Sequence, residues 1–127
     1  MAPPGGLGPA VLLDEPGGVP RSGSRAVAEP VADQVLIRVA AAPITPLDRL
    51  CATGRSYFGV PATPYVPGVQ GVGFVEAGPI PAGTAVWFAT TAGMQPGDGS
   101  MRADVVADRR DVVELPAGAD PVLVAAL

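Results

Sequence analysis

Val35-Leu36-Ile37-Arg38-Val39-Ala40-Ala41 runs directly into Ala42-Pro43-Ile44-Thr45-Pro46-Leu47-Asp48, and this junction decides the fold. The first seven residues are rich in β-branched and aliphatic side chains, which suit a pleated backbone, and predict a mostly buried strand over 35–41. Pro43 and Pro46 each lack a backbone donor and clash with a preceding helical turn, so no helix continues through them. Beyond the second proline, Leu47, Leu50 and Cys51 recur at helical spacing, and Gly54 is a natural terminator, which predicts a short helix over 47–52. Cys51 falls on its apolar face and reads as a small buried hydrophobe. Asp48, at the start of that helix, reads as a cap in preference to a substrate contact.

Working outward, Arg55 to Pro67 is rich in turn residues. Gly71-Val72-Gly73-Phe74-Val75-Glu76-Ala77 then predicts a second long strand, closed by Gly78-Pro79-Ile80-Pro81. Glycines inside it call for close backbone packing. Further strands are expected at 85–89, 103–107 and 111–115. On the amino-terminal side, 10–13 predicts a short strand, 14–33 a long loop, and residues 1–9, rich in Pro and Gly, a flexible start. Asp120 before Pro121 is an N-cap followed by a proline at the first helical position, so a helix is expected to begin there and to be interrupted at Leu127. The expectation is one domain over 10–119 with most of its order in strands.

Composition sets outer limits. Seventeen Gly and sixteen Pro in 127 residues cluster between apolar runs, which is the arrangement of a turn-rich β fold and not of a low-complexity chain. Aromatic residues are only 5%, so the core must be aliphatic. The formal charge is −4 and all eight basic residues are arginine. The sole adjacent pair, Arg109-Arg110, reads as a solvated loop, which argues against nucleic acid or an anionic membrane as partner. One cysteine cannot form an internal disulfide, and no apolar run approaches the ~18 residues of a membrane helix. A soluble, cytoplasmic protein is expected.

The missing residue types are chemically informative. With no histidine and one cysteine, the chain cannot assemble a Cys/His zinc site or any nucleophile paired with an imidazole base. Dinucleotide binding of the Rossmann type needs G-x-G-x-x-G between a strand and a helix. Gly68-Val69-Gln70-Gly71-Val72-Gly73 has the reverse spacing and leads into a strand, so a tight turn is its expected job.

Taken in order, Val35 to Asp48, then Gly54, then Pro67-Gly68-Val69-Gln70-Gly71-Val72-Gly73-Phe74-Val75 resembles the amino-terminal, GroES-like catalytic domain of medium-chain dehydrogenases/reductases, in particular the zinc-independent quinone oxidoreductase branch. Gly83-Thr84-Ala85-Val86, Gly99-Ser100 with Ala103-Asp104-Val105-Val106, and Leu115-Pro116 extend the likeness over 10–127. The resemblance implies a mainly β, partly open barrel with short helices and no Rossmann domain in this chain. The helix starting at 120–127 would lead to a missing nucleotide-binding domain.

The family's zinc branch carries a cysteine near Thr45 and a His-Glu pair where Val69-Gln70 stand, so the resemblance implies no zinc. It implies NADPH or NADH as cofactor, quinones or activated carbonyl and enone compounds as substrates, and the absent Rossmann domain as partner. A homodimer is left open. Thr45, where the quinone reductases commonly have asparagine, and Gln70 are implied at the nicotinamide end of the cleft. Tyr57 is implied as a proton donor, since a phenol can donate to a carbonyl oxygen. The plainer readings of Gln70 and Tyr57 are a solvated turn residue and a loop tyrosine packed on the barrel. Trp87 reads as core or as an interface anchor. The chain alone is expected to be inactive. The rival from another class is a free-standing, non-catalytic GroES-like binding or oligomerisation module.

Overall fold

The computed structural model describes residues 6–94 and 97–127. The strand predicted from 35–41 is present as β3 (Gln34–Ala41). It is flanked by β4 (Gln70–Ala77) and β6 (Asp104–Asp108), while β5 (Ala85–Ala89) follows β4 and β7 (Val112–Glu114) follows β5. The sheet order is β6-β3-β4-β5-β7, and every pairing is antiparallel. Register shifts between Leu36 and Ile37 and between Val39 and Ala41 bend and twist the long β3–β4 pair, as bulges do.

Alternation then sends Val35 and Ile37 of β3, Val75 of β4, Val86 and Phe88 of β5, Val105 and Ala107 of β6 and Val112 of β7 into one aliphatic core. Phe88 is its only aromatic ring. The glycines of β4 permit the close packing that the sequence calls for. A Cβ at Gly71 would meet Phe88 Cζ at 2.6 Å, and one at Gly73 would meet the Arg38 carbonyl carbon at 3.0 Å.

The expected loop 14–33 contains a strand. β1 (Leu7–Leu12) pairs with β2 (Arg21–Ala26), from Leu7 opposite Ala26 to Leu12 opposite Arg21. Arg-Ser-Gly-Ser-Arg-Ala has no β-branched residue, so propensity gave no sign of it; pairing with β1 overrides composition. β1 also starts earlier than the predicted 10–13. Pro9 cannot donate, but its carbonyl accepts from Ala103 N at 3.0 Å. Residues 1–5 of the expected flexible start lie outside the described residues. Asp111, expected in a strand, ends a 3-10 turn (Arg109–Asp111) instead.

The hairpin is clamped to the body by charge. Arg25 Nε and Nη2 donate to both oxygens of Asp98 at 2.8 and 3.1 Å, and Val66 N donates to Asp98 Oδ1 at 3.0 Å. Partial burial pushes the Asp98 carboxyl up, but the Arg25 and Val66 hydrogen bonds and the charges of Arg25 and Arg102 outweigh it and hold the group below its ordinary value of 3.8. A carboxyl depressed by folding adds stability that is full well above the unfolded value and is lost as pH falls through the folded one. The stability gap between the wild type and Asp98→Asn should therefore narrow as pH falls from about 5 to below the ordinary carboxyl value of 3.8, read by urea denaturation at each pH. A gap that does not change with pH would show that the clamp is not ionic.

Candidate functional site

Thr45 leaves the sheet in extended conformation (φ −113°, ψ 164°) and caps α1 (Pro46–Ala52), with Pro46 in the first turn where its missing N–H costs nothing. Asp48 completes a capping box. Its Oδ2 accepts from Thr45 N at 2.7 Å and Thr45 Oγ1 at 2.9 Å, while Asp48 N donates back to Thr45 Oγ1 at 3.4 Å. The other oxygen, Oδ1, accepts from Val69 N at 2.8 Å. Asp48 is only 5% exposed and joins the start of α1 to the turn that opens β4. The cap read from the sequence is present, and it does more than end a helix.

The inward face of α1 is Asp48 and Cys51, the latter fully buried. Leu47 and Leu50, expected at the apolar face with Cys51, are 38% and 45% exposed. Seven residues give less than two full turns, so only one narrow stripe is buried. Gly93 lies against that stripe, where a Cβ would collide with Cys51. Tyr65 is buried beneath the same junction, its hydroxyl without a hydrogen-bond partner among the described residues. Burial, reinforced by the nearby Cys51 and Asp48, pushes the phenol up to about 12.

Gln70 is the first residue of β4 and shares a sheet face with Trp87 of β5, two residues along the register from its partner Ala89. Trp87 Nε1 donates to Gln70 Oε1 at 2.8 Å. An indole N–H can only donate, so Gln70 must offer its carbonyl there and keep its two amide N–H groups free. Ser100, fully buried, donates through Oγ to the Gln70 backbone carbonyl at 2.6 Å. Thr90 Oγ1 donates to the Gly68 carbonyl at 2.5 Å, and Thr90 N to that of Val69 at 3.0 Å. The turn 68–70 is thus held from three sides.

Of the three residues singled out from sequence, Thr45 and Gln70 come to one junction through Asp48 and Val69. Tyr57 does not join them by any contact. It stands 99% exposed on the loop after α1, edge-on to Phe58 with ring centroids 6.1 Å apart. Trp87, read as core or interface anchor, is half-buried and orients Gln70. That pairing, like the role of Ser100, depends on strand register and has no signature in spacing.

The polar side chains at this junction are the Thr45 hydroxyl and the Asp48 carboxylate, whose two oxygens are taken by Thr45 and the Val69 N–H, and the Gln70 amide. Zinc takes thiolate, imidazole or carboxylate ligands, and the one thiol, Cys51, is packed under α1, so the junction does not fit the metal. Among the described residues no three His, Cys, Asp or Glu side chains converge, and no helix is long and apolar enough to cross a membrane.

A curled antiparallel half-barrel with two short helices, α1 and α2 (Pro121–Ala125), defines a small β domain of the GroES-like class. Residues 31–117 match the model of the alcohol dehydrogenase GroES-like domain, and the chain belongs to that family. Among solved structures it is similar to human synaptic vesicle membrane protein VAT-1 homolog-like protein, with TM-score 0.83 and 26% identity over 95% of this chain. It is similar in fold to a probable oxidoreductase from Mycobacterium abscessus, with TM-score 0.84 and 20% identity over 95% of this chain. The quinone oxidoreductase from Thermus thermophilus, solved also with NADPH, shares the fold at TM-score 0.76 and 24% identity over 94%. The chain spans 39%, 39% and 36% of these proteins respectively. No curated protein sequence matches it.

Proposed function

We propose that the chain is the substrate-side domain of a zinc-independent, cytoplasmic NAD(P)H-dependent oxidoreductase that reduces quinones or related activated carbonyl and enone compounds. The observation that carries this reading is the polarity of the junction. Thr45 Oγ1, its one O–H directed to Asp48, has only lone pairs left to offer, whereas Gln70, its oxygen engaged by Trp87, offers its two amide N–H groups. An acceptor and a donor on either side of Asp48–Val69 complement a primary carboxamide, which is the polar group of nicotinamide. A threonine and a glutamine thereby suit orientation of a cofactor ring and supply no metal ligand. The bound nicotinamide would deliver hydride to the substrate carbon; the nucleotide end would be held by a Rossmann domain outside this chain. Tyr57, fully exposed on its loop, is the residue this reading assigns to protonate the reduced oxygen, with water as the alternative source.

The test is the reading frame that contains this chain, expressed in full. It should oxidise NADPH or NADH with a benzoquinone or an enone as acceptor at a rate unchanged by chelator. Gln70→Leu should raise KM for the nicotinamide cofactor about tenfold, the loss of one hydrogen bond of about 1.4 kcal/mol. Tyr57→Phe should lower kcat alone. Absence of nucleotide binding, in a product that is monodisperse and melts cooperatively, would overturn the enzyme reading and favour the non-catalytic module.

A further inference from the structure

The outward face of α1 carries Pro46, Arg49, Leu50 and Thr53 at the i, i+3, i+4, i+7 spacing of one helical stripe. With Arg55 they line an open groove of about 330 Å³. The arginines in it are exceptional. Six of the eight in the chain have an acidic partner or an acceptor: Arg21 pairs with Asp14, Arg25 with Asp98, Arg38 with Glu76, Arg109 with Glu114 and Arg110 with Asp108, and Arg102 donates to the Ala26 carbonyl. The side chains of Arg49 and Arg55 have none among the described residues, and no Asp or Glu lines their groove. In a chain of formal charge −4, general basicity does not explain two unpaired guanidinium groups sharing one wall. Both guanidinium groups line the same groove, and a carboxylate or phosphate there would meet their planar donor forks and supply the counter-charge they lack. Pro46 and Leu50 add an apolar floor.

We infer that this groove binds a small organic anion, a carboxylate or phosphate head held by Arg49 and Arg55 with a short apolar body lying on Pro46 and Leu50. The inference stands apart from the cofactor reading, because it needs neither nicotinamide nor a second domain. The test is a ¹H–¹⁵N titration of the 127-residue protein at low salt with hexanoate, phenyl phosphate, inorganic phosphate, hexanol and NADPH. Hexanoate and phenyl phosphate should shift Arg49, Leu50, Thr53 and Arg55 saturably, with Kd on the order of 1 mM. The double variant Arg49→Gln, Arg55→Gln should weaken this at least about tenfold, against no change for Arg109→Gln, Arg110→Gln, whose arginines already face acids. Three outcomes would overturn the inference. Hexanol binding as well as hexanoate would leave an apolar contact only. Inorganic phosphate matching both organic anions, or equal loss in the Arg109/Arg110 variant, would leave unspecific attraction. NADPH alone producing the shifts would make the groove part of a cofactor site.

Discussion

Replacing Asp48 with alanine is expected to lower the stability of the domain by about 2–4 kcal/mol, and to loosen the candidate site before the domain unfolds. The side chain accepts three hydrogen bonds at 2.7–2.9 Å, two from Thr45 and one from Val69. Losing an N-cap partner costs about 1 kcal/mol and each orphaned, poorly solvated amide about 1–3 kcal/mol. Thr45 and Val69 are only half-buried, so water recovers part of this, which keeps the loss short of the full sum. Asp48→Asn separates the two functions. Its oxygen can still accept from Val69, but its amide then faces the Thr45 N–H, donor against donor, so it should lose roughly half as much and mainly fray α1. Urea midpoints at constant m-value read both changes. A loss below about 1 kcal/mol for Asp48→Ala would mean that water replaces the carboxylate and that Asp48 does not hold Thr45 and Val69 together.

What was legible in the sequence follows from how local each cause is. The strand at 35–41, the stop at Pro43 and Pro46, the cap at Asp48 and the close packing of Gly71 and Gly73 rest on propensity, proline chemistry and missing Cβ atoms, all written within a few residues. The strand β2 was not legible, because Arg21–Ala26 is extended only through its partner β1. Leu47 and Leu50 misled for a related reason: periodicity shows that apolar residues share a face but not that a seven-residue helix has something to bury it against. The candidate site divides the same way. Thr45 was visible through its place before Pro-x-Asp, whereas the orientation of Gln70 depends on Trp87 coming opposite in the β4–β5 register. The exposure of Tyr57 depends on a loop path with no strong local signal.

Gly68→Ala is expected to be as damaging as the loss of Asp48, by about 3–4 kcal/mol, through packing instead of polarity. Gly68 has φ +113°, a conformation open to glycine and strained for any residue with a Cβ. Space is also lacking: a Cβ there would lie 2.8 Å from Ser100 N and 3.1 Å from Met101 N. Those two amides donate to the Gly68 and Pro67 carbonyls at 3.0 Å each, so the added methyl would wedge apart the ladder that seats Ser100 beneath Gln70. Gly83 and Gly118 supply the control, with φ +88° and +82° and nothing within 4 Å of a Cβ. Alanine at either should cost only the backbone strain of about 1–2 kcal/mol, and the difference from Gly68→Ala isolates the steric part. The lone tryptophan gives a local reading of the same event. If the ladder moves, Gln70 moves with it, Trp87 Nε1 loses its partner, and tryptophan emission of the folded Gly68→Ala protein should shift relative to Gly83→Ala. Equal losses and unshifted emission would show that residues 99–101 can give way without disturbing Gln70, and that the turn at Gly68 does not set the geometry of the candidate site.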